Sequence, residues 1–393
     1  MNRRLGLAGC FAVLILAATP WPAGAQTPPP QFCSPPFFVL QNFPTGGPTE
    51  TSWAICWQAM RQYGVVITSA HFRKSPTAPW VRVFWDARVS EIFVPYHPGF
   101  PRFLDVSDFI WPVVRLVAQH CPASQGGTLL NVAGSILKPG GAPGPGVCKQ
   151  VRDRGLAWND DQKLRRGQEL VLWGALDAAN YNYIMEWTFR DDGVVLGRVA
   201  ATGVNLPTAR FVTHMHSPTW RLDIDLDGAG GDSVHRGVHT ENLPGPTATD
   251  TDPLIAIEGG LPWDAASFTI LKVHDATLKN GRGHASSYHL MPLRYGTGRH
   301  QEPFTSHDFW VTRWHPSEMT ASDLPTYVTP AEPVSNTDVV VWYTASMHHE
   351  VRDEDGEEIT IFGLTFWSGE AHTMWVGWML KPHNLFDRTP LFP

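Results

Sequence analysis

The sequence predicts an all-β fold with few short helices, most simply one large β-sandwich. Glycine (35 residues) and proline (34 residues) are frequent in the chain of 393 residues, which indicates many turns and argues against long helices. The 17 tryptophans supply large side chains for a core, and helical periodicity is weak throughout. The hydrophobic content of 43% excludes a disordered chain, and the net charge of -7 gives no support for nucleic-acid binding.

The first residues predict an export signal. Arg3 and Arg4 precede an apolar run over 5–18, and the small residues 23–25 follow as a cleavage site. This run is too short for a comfortable membrane span, so we expect a secreted or periplasmic protein without membrane attachment. The chain then divides into a signal peptide (1–25), an extended N-terminal lead-in (26–52) and one domain (53–393).

Four cysteines remain once the signal peptide is removed: Cys33, Cys56, Cys121 and Cys148. An even number of cysteines in an oxidising compartment indicates two disulfide bonds. Three pairings are possible, and we favour Cys33–Cys56 and Cys121–Cys148 because each joins residues that are close in the sequence.

Strand and turn patterns alternate along the chain. The turn 191–193 separates two strands that should form a hairpin. Segment 108–120 is the best candidate for a short helix, and the glycine- and proline-rich segment 126–146 predicts a loop. The predicted strands lie at 65–68, 81–85, 92–94, 169–173, 183–189, 194–201, 211–226, 339–343 and 360–366.

Two histidines separated by one residue form the sharpest local signal for chemistry. His214 and His216 lie on a predicted strand, where residues i and i+2 point to the same face. Two imidazoles placed in this way can hold one metal ion, and imidazoles suit copper or zinc. The alternative is a pair of surface histidines. A third ligand would decide the question, and spacing alone does not choose between His348 and His349.

Three alternating aspartates follow on the same predicted strand. Asp223, Asp225 and Asp227 should share one face, where their charges repel unless a cation or solvent relieves them. Oxygen clusters of this kind suit calcium. The alternative is the solvated polar face of an edge strand.

Two further stretches could serve chemistry or packing. Asp105 and Asp108 lie among aromatic residues, where burial would raise the pKa of a carboxyl group and make it a general base. Such an aspartate is more often a helix cap. The aromatic strand opening at 177–187 would by default pack in the core.

Two of these stretches resemble the catalytic domain of the copper-containing amine oxidases, the topaquinone enzymes. Segment 177–183 is similar to the family motif in which a tyrosine is oxidised to the quinone, with Tyr181 on that tyrosine and Asn180 before it. Segment 213–216 and its continuation 221–228 resemble the copper-binding strand. The resemblance implies a two-sheet β-sandwich, the amine oxidase catalytic-domain supersandwich, with topaquinone formed from Tyr181.

Later segments extend the resemblance. Segment 336–342 resembles the approach to the third copper histidine, and counting without gaps places that ligand on His349. The resemblance therefore implies that His214, His216 and His349 bind copper. Segment 380–387 resembles the family's C-terminal signature.

The resemblance also implies roles upstream of the quinone motif. Tyr96 matches a tyrosine that hydrogen-bonds the cofactor, and Asp105, instead of Asp108, matches the catalytic base. Asn180 would restrain the orientation of the quinone ring. Cys121–Cys148 matches a disulfide common in this domain. A peripheral site, usually for calcium, matches Asp223, Ile224, Asp225, Asp338 and Val339, with carbonyl oxygens from the isoleucine and valine.

The resemblance implies a secreted, homodimeric enzyme that uses copper, topaquinone and calcium. Its partners would be a small primary amine and O₂, and its products an aldehyde, ammonia and hydrogen peroxide. Asp177 replaces the motif threonine and Asn182 the acidic residue after the quinone tyrosine. These two departures favour the alternative, a non-catalytic secreted protein that binds copper or calcium on the same scaffold.

Overall fold

The structure is a computed structural model. It describes residues 33–34, 36–44, 50–96, 102–159, 161, 164–206, 209, 211–242, 245–262, 268–293, 302–352, 358–361, 364–367 and 370–387. The predicted signal peptide therefore lies outside the described residues. Of the predicted lead-in, the described part supplies the first strand and the start of the second.

The first sheet contains ten strands within the described residues, and the neighbours among them pair antiparallel. Its strands follow the order β1-β2-β3-β4-β13-β21-β20-β17, with β5 paired to β4 and β22 paired to β13. Their bounds are β1 Phe38–Phe43, β2 Thr51–Met60, β3 Gly64–Arg73, β4 Val81–Pro95, β5 Arg102–Leu104, β13 His214–Ile224, β17 Gly259–Leu261, β20 Phe309–Arg313, β21 Val339–Thr344 and β22 Met347–His349.

The second sheet contains thirteen strands within the same described ranges. The strand order is β15-β14-β18-β19-β25-β12-β11-β10-β6-β8. In addition, β16 pairs with β14, and β9 pairs with both β10 and β7. The bounds are β6 Val113–Val114, β7 Gly127–Val132, β8 Leu137–Lys138, β9 Gly144–Asn159, β10 Leu164–Ala178, β11 Tyr181–Arg190, β12 Val195–Gly203, β14 Asp232–Glu241, β15 Ala248–Thr251, β16 Leu254–Ile255, β18 Phe268–Lys279, β19 Ala285–Pro292 and β25 Glu370–His383.

Short elements complete the described chain. A hairpin is formed by β23 (Glu358–Ile361) and β24 (Leu364–Trp367). The α-helix α1 spans Leu324–Tyr327, and the 3₁₀ turns are Ala123–Gln125, Gly134–Ile136, Pro303–Ser306 and Ala321–Asp323. Among the described residues, no helix has the length and apolar character needed to cross a membrane.

Aromatic side chains join the two sheets face to face. Trp53 of the first sheet packs edge-on against Phe189 of the second, with ring centroids 5.1 Å apart. Trp187 of the second sheet donates its indole N–H to the backbone oxygen of Val65, 2.8 Å away in the first. Buried rings of this size remove much apolar area from water, which stabilises the sandwich. The predicted all-β, two-sheet sandwich with few short helices is confirmed.

Two element predictions are wrong. Segment 108–120 forms turns and the short strand β6 instead of a helix, since Pro112 cannot donate the N–H that a helix interior needs. Segment 126–146 is not a loop, because it contains β7, β8 and the start of β9. In addition, the single strand expected at 360–366 is divided between β23 and β24.

The predicted hairpin and disulfides are confirmed. Strands β11 and β12 pair antiparallel around the turn at 191–193. Cys33–Cys56 and Cys121–Cys148 are joined, with Cα atoms 5.9 Å and 5.7 Å apart respectively. Cys56 lies on β2, so the first disulfide ties the chain before β1 to the first sheet.

Candidate active site

Three histidines converge where β13 and β22 pair. In this antiparallel register His214 lies opposite His349, and His216 lies opposite Met347. Paired residues point to the same face, so His349 joins His214 and His216 whereas exposed His348, opposite Met215, points away. All three side chains are buried, and their ligand atoms lie within 4.8 Å of one another. The choice that spacing left open therefore falls on His349.

The hydrogen bonds of two of these rings leave a nitrogen for a metal. His214 Nδ1 lies 3.0 Å from the backbone oxygen of Val212, which fixes the proton on Nδ1. His216 Nδ1 lies 3.0 Å from the Tyr183 hydroxyl, to which it donates. Nε2 of each ring then carries a lone pair, and the two Nε2 atoms are 3.1 Å apart. Two lone pairs at this distance repel, and a cation between them would relieve that repulsion.

Burial keeps these rings neutral. Loss of solvent lowers the pKa of His214 to about 3 and lowers the pKa of His216 well below its usual value. Neutral imidazole is the form that binds metals. The donor set therefore fits copper, which imidazole ligands suit.

Tyr181 opens β11 with its hydroxyl against the histidines. The phenolic oxygen lies 2.7 Å from His349 Nδ1, 3.2 Å from His214 Nε2 and 3.0 Å from Asn205 Oδ1. A metal held by the triad would therefore lie beside this ring. Asn205 was not predicted, because nothing in the sequence around it departs from an ordinary loop.

Two further predicted residues flank Tyr181. The ring of Tyr96 stacks on His214 with centroids 4.1 Å apart, and its hydroxyl is within hydrogen-bonding reach of Tyr181 and Asn180. Burial raises the pKa of Tyr96 despite these bonds, so it stays a hydroxyl. The Asn180 side chain donates to the backbone oxygen of Val204 over 2.7 Å, which holds the turn before β11 in place.

Tyr183 connects the candidate base to the histidines. Its hydroxyl donates to Asp105 Oδ2 over 2.5 Å and accepts from His216 Nδ1. The ring lies parallel to that of Tyr181, with centroids 6.1 Å apart. Sequence analysis missed Tyr183, although its i+2 spacing from Tyr181 on a strand places both rings on one face.

Asp105 is the aspartate that faces this site, whereas Asp108 is exposed. Burial raises the pKa of Asp105 to about 7, and the charges of Glu91 and Asp108 add to this. The hydrogen bond from Tyr183 acts in the opposite direction because it stabilises the carboxylate. A carboxyl group with this pKa is suited to general base catalysis near neutral pH.

Glu91 holds the segment that carries Asp105. Its Oε1 accepts from the backbone N–H groups of Ile92 and Val106, each over 2.9 Å, and Oε2 accepts from the Ser107 hydroxyl. The Glu91 side chain is fully buried. Glu91, which was not predicted, therefore fixes the position of the candidate base.

Replacing Glu91 with alanine is expected to lower the free energy of unfolding. The buried N–H groups of Ile92 and Val106 would lose their acceptor, at about 1–3 kcal/mol for each. Urea unfolding of the variant and the wild type checks this. An unchanged midpoint would show that another group satisfies these donors.

A cavity of about 200 Å³ opens beside Asp105 and Tyr181. Its walls are mostly apolar and aromatic, and the Asp105 carboxyl is the acidic group among them. The side chains that form the walls include Val94, Tyr96, Phe103, Phe109, Trp111 and Leu206.

The predicted peripheral site lies at the far end of β13. Asp223 and Asp225 are buried there beside half-buried Asp338, whereas Asp227 is exposed in a turn with φ 66°. The prediction that Asp227 shares the face of Asp223 and Asp225 is therefore wrong. Asp225 pairs with Arg82 over 2.8 Å. Ile224 and Val339 are the neighbours of these aspartates on β13 and β21.

A fourth aspartate, Asp232, joins this acidic cluster and was not predicted. Burial, followed by repulsion from neighbouring carboxylates, raises the pKa of Asp232 to about 9, and burial raises that of Asp223 to about 8. Within the described part of the chain, both Asp232 oxygens and one oxygen each of Asp223, Asp225 and Asp338 have no hydrogen-bond partner. Such carboxylate oxygens fit a hard cation such as calcium.

Comparison with known proteins gives a consistent result. Residues 154–392 match the family described as copper amine oxidase, enzyme domain. The chain is 24% identical to copper-containing amine oxidase gamma 1 of Arabidopsis thaliana, over 86% of this chain and 56% of that protein. It is 27% identical to the primary amine oxidase of Klebsiella aerogenes, over 57% of this chain and 35% of that protein.

The fold has counterparts among solved structures. A copper-containing benzylamine oxidase from Hansenula polymorpha superposes with a TM-score of 0.69 at 18% identity, covering 93% of this chain and 64% of that one. The chain spans about half the length of the Arabidopsis relative, 56% of it.

Proposed function

The chain belongs to the copper amine oxidase family, and from this premise we propose that it oxidises a primary amine to an aldehyde, with release of ammonia and hydrogen peroxide. One observation carries the proposal: the Tyr181 hydroxyl lies 2.7 Å from His349 Nδ1 and 3.2 Å from His214 Nε2. This contact supports the proposal because Tyr181, the residue that matches the family's quinone tyrosine, lies against the candidate copper ligands.

We propose that His214, His216 and His349 hold copper and that Tyr181 is the residue converted to topaquinone. When present, copper and topaquinone supply the electron-accepting chemistry that the twenty ordinary side chains lack. Tyr183 supports the metal site because its oxygen accepts a hydrogen bond from His216 Nδ1–H, which leaves Nε2 as a ligand.

Asp105 would act as the general base. Its carboxylate faces the cavity and would accept the proton that leaves the carbon next to the amine nitrogen. Tyr183 occupies Oδ2 through its hydrogen bond, which leaves Oδ1 for the proton. Tyr96 and Asn180 would keep the ring of residue 181 in a fixed orientation. The Tyr96 hydroxyl lies within hydrogen-bonding reach of both Tyr181 and Asn180.

The cavity supports a substrate with a small apolar carbon chain. Phe103, Phe109 and Trp111 would pack against that chain and exclude water from the reacting carbon. The Asp105 carboxyl would lie near the amine. We therefore propose small aliphatic or aromatic primary amines as substrates.

The departures from the family motif do not face the catalytic side chains, although the Asn182 side chain donates to the backbone oxygen of Tyr181 over 3.2 Å. Asp177 and Asn182 lie opposite each other in the β10–β11 register, on the face away from Tyr181 and Tyr183. Asp177 is engaged in an ion pair with Lys138 over 2.7 Å. This arrangement favours the enzyme over the non-catalytic metal-binding alternative.

Peroxide release tests the proposed function. We expect copper-loaded protein to release hydrogen peroxide and aldehyde from members of a panel of small primary amines. Copper binding without product from any amine would favour the binding-protein alternative.

Turnover is expected to fall as the pH decreases through about 7, where the Asp105 carboxyl takes up a proton. The protonated form cannot accept a proton from substrate, so kcat/KM should follow the charged fraction. In Tyr183→Phe the carboxylate loses a hydrogen bond, so this limb of the profile should move to higher pH. The pH profile of peroxide release measures the acidic limb of the wild type and its shift in the variant, with copper content as a control. An acidic limb at the same pH in both proteins would contradict the role of Tyr183.

We also propose export, a homodimer and a calcium site. The two disulfides suit an oxidising compartment such as the periplasm or the exterior. The unpartnered oxygens of Asp223, Asp225 and Asp338 support calcium, although Arg82 offsets part of their charge.

A further inference from the structure

A second group of metal-ligating side chains lies on the second sheet, apart from the triad. It consists of His235 on β14, His274 on β18 and Asp252 between β15 and β16. Their ligand atoms all lie within 4.8 Å of one another. The triad by contrast stands on β13 and β22 of the first sheet.

The strand register brings these residues together. His235 lies opposite Lys272, and His274 lies opposite Ser233, so the two histidines are diagonal neighbours on one face. Their ring centroids are 4.8 Å apart. Residues of the other face, such as Val234 and Val273, belong to the hydrophobic core. The histidine face is therefore the side of the sheet away from the core, where Asp252 is exposed and His235 and His274 are half-buried.

Asp252 completes the group from the edge of the sheet. Its Oδ1 is held by Lys272 Nζ at 3.0 Å, and its Oδ2 lies 3.9 Å from His235 Nδ1. One carboxylate oxygen is thus fixed by the lysine while the other faces the histidines. The lysine reduces the negative charge of the group, so the two imidazoles must contribute most of the affinity.

His274 supplies an independent sign of a missing ligand. Its Nε2 is buried and has no hydrogen-bond partner within the described ranges. A buried nitrogen of this kind costs free energy unless something binds it. The nearby His289 is not a partner for this nitrogen, because its own Nε2 bonds Ser287 Oγ over 3.0 Å.

We propose that His235, His274 and Asp252 bind one divalent transition-metal ion of the zinc or copper type, with water in the remaining positions. Two imidazoles and one carboxylate form a donor set that suits these ions. A bound ion would fasten the edge segment carrying Asp252 to β14 and β18. The site is separate from the copper triad and does not depend on amine oxidation.

Zinc binding to the full, copper-loaded chain tests the proposal. In calcium-containing buffer we expect calorimetry and metal analysis to find one Zn²⁺ per chain beyond the copper. His274→Ala and Asp252→Asn should each weaken this binding by more than about tenfold. His239→Ala is the matched control, because His239 also lies on β14 but contacts Glu241 and Asp250 instead.

Three results would overturn the proposal. These are the absence of zinc binding to the wild type, wild-type affinity in both site variants, and an equal loss in His239→Ala. Asp252 is exposed, so Asp252→Asn should fold even if His274→Ala does not.

Discussion

Asp105→Asn is expected to lower the turnover of a primary amine by about 10²–10⁴-fold, the usual contribution of a positioned base. The amide has nearly the same shape as the carboxylate but cannot accept the substrate proton. Tyr183 can still donate its hydrogen bond to the amide oxygen, so the surroundings of the site should persist. Copper content and the thermal unfolding temperature should therefore stay close to the wild-type values.

Steady-state peroxide release with saturating amine measures this loss. Asp108→Asn serves as the matched control, because it makes the same chemical change at an exposed position three residues away. We expect little effect there. Wild-type turnover in Asp105→Asn, or an equal loss in Asp108→Asn, would contradict the assignment of the base.

Tyr181→Phe is expected to abolish both quinone formation and turnover. Phenylalanine fills the same space against His216, whose ring centroid lies 4.5 Å from that of Tyr181, but it offers no hydroxyl to oxidise. The variant should still bind copper through its three histidines. The buried oxygen of Asn205 would lose this donor, which should cost about 1–3 kcal/mol of stability.

Quinone absorbance and redox-cycling stain after copper loading measure this change. Tyr288→Phe is the control, since it removes a buried hydroxyl that bonds the backbone oxygen of Gly193 instead of a residue of the site, and it should keep the quinone. Persistent stain in Tyr181→Phe would place the cofactor on another residue.

The fold class could be predicted because it depends on local patterns. Frequent turns and alternating residues indicated short strands, and the Asp-Asp-Gly turn at 191–193 indicated the hairpin of β11 and β12. The helix predicted at 108–120 and the loop predicted at 126–146 were wrong because the structure of both segments depends on distant partners. Val113 of β6 pairs with Leu176 of β10, a contact that no local pattern reveals.

The residues of the candidate site also fall into those that local patterns predict and those that depend on distant partners. His214 and His216 followed from the two-residue period of a strand. The choice of His349 over His348 from the residues alone was not possible, because it depends on how β22 pairs with β13. Tyr183 and Asp232 were missed since their importance comes from neighbours far along the chain, Asp105 for Tyr183 and Asp338 for Asp232.

The mass of the peptide that contains Tyr181 shows whether copper and oxygen convert this residue to the quinone. Protein prepared without copper would be loaded with copper in air, digested and compared with a portion kept metal-free. We expect a mass increase on that peptide, located to Tyr181 by fragmentation, only in the copper-loaded sample exposed to oxygen. An unmodified Tyr181 in fully copper-loaded, aerated protein would contradict it.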